Sequence, residues 1–319
     1  MTVLDPASRP LRRLATGGAV LATALFVIVG GRGLMQYVYN FWVYRGFPPP
    51  SDPAFVRRQG TTERFYVSSA AIGGRHQPVD VYLPPGYASH PGRRYPVFYL
   101  LHGSPGRPGA FLQTVRMGVV EDVLLAHRKI QPMILVMPFG STGTFTDDEW
   151  ANGIGRNAGW ERFLVHDVVR AVDARYRTIP NGAHRVLGGL SEGGYGALNI
   201  GLHHPGAFRV LESWSGYAQA DDIASIFGHR AGLLRWNSPA EQIGGRARQL
   251  RAHHEFVWFY TGTTDQLRTQ NERFATALRR AHVPFRFATL RGGHEWALWR
   301  GQAANALLAA SRHLPAGLG

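Results

Sequence analysis

The chain has 319 residues, 45% of them hydrophobic and 18% charged, a balance that suits a packed globular core and excludes an intrinsically disordered chain. It contains no cysteine, which removes disulfides, thiolate metal sites and cysteine nucleophiles from consideration. The formal charge of +14 comes almost entirely from arginine, with Lys129 the single lysine. The arginines are scattered without a basic run, so the charge is read as solvation of the surface and not as a nucleic-acid footprint.

Residues 1–13 form a short, arginine-bearing N-terminus. From Leu14 to Gly31 the run LATGGAVLATALFVIVGG carries no charge. As a helix it would reach roughly 27 Å, close to the hydrocarbon thickness of a bilayer. Arg9, Arg12 and Arg13 precede it, and the aromatic-dense LMQYVYNFWVY follows Arg32. The expectation is a single-pass signal anchor over 14–33, with a cytoplasmic N-terminus and everything beyond on the far side. A cleaved signal peptide competes, but the small-x-small candidate Ala22-Thr23-Ala24 would cut ahead of the most apolar part, LFVIV. A buried helix of a soluble protein is the plainer alternative. Residues 34–60 read as an aromatic and proline-rich juxtamembrane linker containing GFPPPSDPAF.

The remainder, 61–319, reads as one domain. RFYVSSAAIGG and PVDVYLPPGY form two strands joined by a Gly-Gly turn. Six apolar runs of strand length follow, from Tyr95, Pro132, His184, Phe208, Glu255 and Pro284. Helix-period segments lie between and after them at Phe111 to Arg128, Trp160 to Tyr176, Gly194 to His204, Gln266 to Ala281 and Glu295 to His313. This alternation predicts an α/β fold, a doubly wound and mostly parallel sheet with an antiparallel N-terminal hairpin. Function in such sheets collects at the carboxyl ends of the strands.

One stretch at such an end is unusual. GGLSEGGYGA (188–197) gathers five glycines around Ser191 and contains the pattern G-x-S-x-G. It follows a predicted buried strand and opens a helix, the setting in which that pattern holds a nucleophilic serine on a strained turn. The bland alternative is an ordinary strand-to-helix loop. A serine nucleophile needs a base and the base an orienting carboxylate, expected later in the chain in the order acid, then histidine. His294, in LRGGHEWALW, and Asp265, in YTGTTDQL, each follow a predicted strand and precede a helix. Asp265 is also a candidate helix cap, a role compatible with catalysis, and Asp221 and Asp222 are reserve acids. The backbone N–H groups of Glu192 and Ser104 are the expected oxyanion donors, with His102 a structural residue of the Ser104 loop. The long loop from Gly140 to Gly159 is expected to wall the pocket, and Trp150 and Trp296 to line an acyl or aryl site. No metal or cofactor is expected: Asp147 and Asp148 lack the spacing of a calcium loop, and no phosphate or dinucleotide motif appears.

These residues resemble the Putative esterase (esterase D-like, antigen 85-like) branch of the α/β-hydrolase fold. The resemblance spans about Phe65 to Leu314 and rests on YPVFYLLHGSPG, MILVMPFG, DDEWAN, HDVVRAVDARYRTI, RVLGGLSEGGYGALNIGLHHPGAF, SWSGY and GGHEWALW. It implies acyl-ester chemistry on Ser191, His294 and Asp265, with Ser104 and Glu192 as oxyanion donors. Where the branch often has Met after the serine this chain has Glu192, a carboxylate expected beside the site. The function expected is a membrane-anchored serine esterase acting on a small-molecule, lipid or sugar ester outside the cytoplasm. An acyltransferase using the same residues on an envelope acceptor is the first alternative, and an inactive envelope-binding scaffold the second.

Overall fold

The computed structural model describes residues 31–317, except 144, 145, 147 and 157. Most of the expected anchor therefore lies outside the described residues. The chain divides into two compact units, Met1–Pro49 and Pro50–Gly319. In the first unit the described part is a helix over 31–44. Its Leu34, Met35, Tyr37, Val38, Tyr39 and Phe41 are all more than half exposed. Among the described residues no helix is long and apolar enough to cross a membrane.

The second unit is built on an eight-stranded sheet in the order β1-β2-β4-β3-β5-β6-β7-β8. The hairpin β1 (Thr61–Ser69) and β2 (Arg75–Leu83) is antiparallel and joins β4 (Ile134–Pro138) antiparallel. From β4 onward every pairing is parallel, through β3 (Val97–Leu101), β5 (Arg185–Leu190), β6 (Val210–Trp214), β7 (Phe256–Gly262) and β8 (Phe285–Leu290). All five residues of β3 and of β4 are buried, as their unbroken apolar runs imply for strands covered on both faces.

Helices α1 (Met117–Ala126), α2 (Val169–Arg175), α3 (Glu192–His203), α4 (Pro239–Ala252), α5 (Arg268–Arg280) and α6 (Trp296–His313) supply that cover. Apolar side chains of α2 to α5 pack on one face of the sheet with Tyr99, Leu187 and Phe259, while those of α1 and α6 pack on the other with Phe98, Trp214 and Tyr260. The expected helix from Phe111 to Arg128 is broken: a short turn at Ala110–Gln113 is separated from α1 by Arg116, whose φ of 62° cannot continue a helix. The helix expected over Trp160 to Tyr176 carries a π-helical stretch at Phe163–Val168 ahead of α2.

Candidate active site

Ser191 sits between β5 and α3 with φ 55° and ψ −123°, a left-handed conformation that a non-glycine residue holds at a cost of about 1–3 kcal/mol. Its own backbone pins it there. The Ser191 N–H donates to the Trp214 carbonyl at 2.9 Å, and its carbonyl accepts from Gly194 and Tyr195 at the start of the helix. The neighbouring glycines are explained by contact. A Cβ on Gly193 would lie 1.9 Å from the Leu101 carbonyl oxygen, and one on Gly189 would lie 2.4 Å from the Gly193 backbone. Helix and strand meet here with no room for side chains, so the turn is tight and the hydroxyl stands clear of it.

The parallel sheet brings two later loops to the same edge. Thr263 N–H donates to the Leu290 carbonyl and Thr264 N–H to that of Gly292, lacing the loop after β7 to the loop after β8. Gly262 is needed for this approach, since a Cβ there would meet the Gly292 oxygen at 2.4 Å. Asp265 is thereby set beside His294. Its Oδ2 lies 3.1 Å from His294 Nδ1, and its Oδ1 accepts from the Leu267 N–H at 2.9 Å. On the far side of the ring, His294 Nε2 lies 2.8 Å from Ser191 Oγ. A carboxylate facing Nδ1 fixes the tautomer: Nδ1 carries the proton and donates to Asp265, and Nε2 accepts from the serine hydroxyl.

Burial pushes the Asp265 carboxyl up, but the hydrogen bond from His294, the Leu267 N–H and the charge interaction with His294 together outweigh it and leave Asp265 below the usual carboxylate range. Asp265 is therefore an anion at neutral pH. Trp299 packs edge-on against the His294 ring at 5.1 Å, and Trp296 edge-on against Trp299 at 5.0 Å.

The two expected oxyanion donors are also drawn to this edge. Glu192 is the first residue of α3, so its backbone N–H stands at the positive end of that helix. The loop carrying Ser104 abuts the serine, the Cβ position at Gly103 being 3.0 Å from Ser191 Cβ. His102 braces this loop: its Nε2 accepts from the Gly140 N–H at 3.1 Å and its Nδ1 donates to the Gly103 carbonyl at 3.0 Å. Full burial lowers its pKa to about 4, so the ring is neutral and serves as a strut.

Several side chains lie elsewhere than expected. Trp150 lines no acyl site; it is fully buried, donates from Nε1 to the His102 carbonyl at 3.0 Å, and packs against the glycines at 140 and 196. Those two positions lack a Cβ because the indole fills the space. The Glu192 carboxylate turns inward and accepts from the Glu149 N–H at 3.0 Å, 4% of the residue being exposed. The carboxylate expected beside the site thus ties the 140–159 loop to α3. Trp296 remains half-buried near His294. Asp221 and Asp222 are exposed, and neither replaces Asp265 on His294. Glu295, next to the histidine, accepts from the Gly293 N–H and not from the imidazole. Trp214, which is not among the residues expected at the site, backs the serine through its carbonyl; SWSG after an apolar strand was the available signal.

A mixed eight-stranded sheet with a strained serine at the β5–α3 turn defines an α/β-hydrolase-type protein. A family model described as "Putative esterase" matches residues 69–310, and the chain belongs to that family of carboxylesterase-type hydrolases. It is similar to an endo-1,4-beta-xylanase/feruloyl esterase of Xylanibacter ruminicola, with 32% identity over 154 residues covering 45% of this chain and 20% of that one. An esterase of Mycobacterium tuberculosis is 30% identical over 182 residues, 57% of this chain and 37% of the relative. These matches span about a fifth and a third of the relatives' own lengths. A solved ferulic acid esterase superposes with a TM-score of 0.71 at 24% identity, covering 80% of this chain and all of that one.

Proposed function

We propose that the protein is a serine carboxylesterase working through an acyl-enzyme, with Ser191 as nucleophile, His294 as general base and Asp265 as the carboxylate that orients the imidazole. The observation that carries this reading is the unbroken relay from Ser191 Oγ to His294 Nε2 at 2.8 Å and from His294 Nδ1 to Asp265 Oδ2 at 3.1 Å. His294 Nε2 takes the hydroxyl proton as Oγ attacks the ester carbonyl, and the imidazolium so formed faces the Asp265 anion. The negative charge on the carbonyl oxygen meets the backbone N–H groups of Glu192 and Ser104. Collapse expels the alcohol, which leaves with the proton from Nε2. Water then repeats the sequence on the acyl-enzyme, releasing the acid and restoring Ser191.

The substrate is a carboxylic ester of small or moderate size whose acyl or aryl part packs beside Trp296. The feruloyl esterase activity named in a relative supports an aryl ester, and a panel of p-nitrophenyl and methyl hydroxycinnamate esters measures that preference directly. The location is the outer face of a membrane, supported by the uncharged run from Leu14 to Gly31 and the exposed apolar side chains over 34–41. The decisive test is fluorophosphonate labelling with ester turnover. Wild type labels and turns over; Ser191→Ala does neither while keeping its melting temperature within a few degrees. A folded wild type that fails to label defeats the reading. An acyl acceptor added to the same assay separates hydrolysis from transfer, since water as acceptor yields free acid whatever hydroxyl is offered.

A further inference from the structure

Glu212 stands in the middle of the sheet, paired in register with Gly188 of β5 and Trp258 of β7, and has no solvent exposure. A carboxyl in that position is costly unless something uses it. Its Oε2 accepts from Trp214 Nε1 at 3.0 Å, while its Oε1 has no hydrogen-bond partner. The hydroxyl of Tyr260, on the same sheet face and also fully buried, is equally unpartnered. Gly188 admits the side chain: a Cβ there would lie 2.9 Å from Glu212 Cβ.

The side chain held by Glu212 is the one whose backbone holds the serine. The Trp214 carbonyl accepts the Ser191 N–H, and its indole packs edge-on against Phe111 at 5.8 Å, in the short helix that follows the Ser104 loop. The Tyr260 carbonyl accepts the N–H of Ser215, and β7 leads on from Tyr260 to the loop that carries Asp265. The core beneath the site thus runs from one buried carboxyl to the serine, to the oxyanion loop and toward the acid.

We propose that Glu212 is a positioning residue for the esterase site, fixing the Trp214 indole and through it the backbone of Ser191. The proposal rests on the assignment of Ser191 as nucleophile. Burial pushes the carboxyl well above its usual range. Tyr260 is the titratable neighbour on this face of β7, and its own pKa is pushed up by burial and then by Glu212. From α1 the same core receives Glu121, also buried, whose Oε1 is taken by the Met133 N–H. The facing residues of α6 are apolar or aromatic, Trp299 among them. Among the described residues no cation is paired with Glu212, so ionising it would leave a bare charge under the serine.

The test uses the full chain with Ser191→Ala, Glu212→Gln and Glu212→Leu. Glu212→Gln keeps a carbonyl for the indole and cannot ionise. It is expected to retain kcat within about threefold. Glu212→Leu leaves the indole N–H without its acceptor, so kcat is expected to fall about 10–100-fold with KM within about threefold. Its melting temperature is expected to fall by a few degrees, because the buried indole N–H loses its partner, so kcat is compared per folded protein. A merely structural residue would instead lose kcat only in proportion to folded protein. Wild-type kcat per folded protein in Glu212→Leu overturns the proposal. If the Leu variant does not fold, Glu212→Gln decides: a loss of kcat above about tenfold, although the carbonyl for the indole is kept, overturns it. Turnover surviving in Ser191→Ala would instead overturn the nucleophile assignment, so the two failures are distinct.

Discussion

Ser191 is the one residue whose backbone and side chain make opposing demands. Its φ of 55° suits glycine, yet the hydroxyl within 2.8 Å of His294 requires a Cβ. Ser191→Gly should therefore relieve strain that Ser191→Ala retains. We expect Ser191→Gly to be more stable than Ser191→Ala by up to about 1 kcal/mol, measured by denaturant midpoint at constant m, with both inactive. Equal stability, or Ala the higher, would show that the turn holds no strain. Asp265 makes a second prediction. Asp265→Asn removes the anion that fixes the Nδ1–H tautomer, and kcat should fall by about 10³–10⁴-fold with KM little changed. A loss under tenfold would mean that another carboxylate orients the ring. Both positions were legible in the sequence because each follows an apolar run and precedes a helix. The fate of Trp150 was not: an aromatic in a long loop can plug a core or face a ligand, and only the two glycines it packs on, distant in sequence, decide.

At the scale of elements, the strands were legible because parallel strands buried on both faces are continuous apolar runs. Helix α4 was not singled out, although Ser238-Pro239 is a good helix start and Ile243, Ala247 and Leu250 share one face. Its arginine-rich, polar remainder dilutes that period. Helix α3 carries a clamp that periodicity could not foresee. His203 Nδ1 and His204 Nε2 both reach the Glu161 carboxylate, at 2.7 and 2.9 Å, and His203 Nε2 faces the Trp236 carbonyl. Burial raises the Glu161 pKa, but hydrogen bonds and charge from the two histidines overcome it and bring it down to about 2. A folded pKa below the unfolded 4.5 means stability present above that value and lost as pH falls toward 2, on the order of 2–3 kcal/mol. His102 acts over a different window. Its lowered pKa removes stability as pH falls from about 6.5 toward 4, because the unfolded chain takes the proton first. Glu161→Gln should therefore flatten acid unfolding between about pH 4.5 and 2 and leave the decline above it. Urea midpoints across that range check this, and a variant curve parallel to wild type at every pH would show that the clamp does not titrate.

For the whole molecule, the unit Pro50–Gly319 contains every residue assigned to the site, while the apolar exposed helix belongs to the other unit. On the proposed reading, chemistry and location would be carried by separate pieces. Six large apolar side chains standing more than half exposed over 34–41 would be an aggregation liability in water, and a lipid interface removes that cost. On the same reading, the uncharged run from Leu14 would supply the length to reach across a bilayer, and Arg9, Arg12 and Arg13 the bias that would keep the N-terminus inside. Removing residues 1–49 should accordingly move the protein from the membrane pellet to the soluble fraction while kcat/KM on a small p-nitrophenyl ester stays within about twofold. The full chain should withstand carbonate washing and yield to detergent, as an integral anchor does. Release by salt alone would instead mean that the arginine-rich surface merely adheres to anionic lipid, since attraction of that kind is screened within about 10 Å at 0.1 M salt. A truncated chain that folds but loses turnover would show that the N-terminal unit serves the site as well as the address.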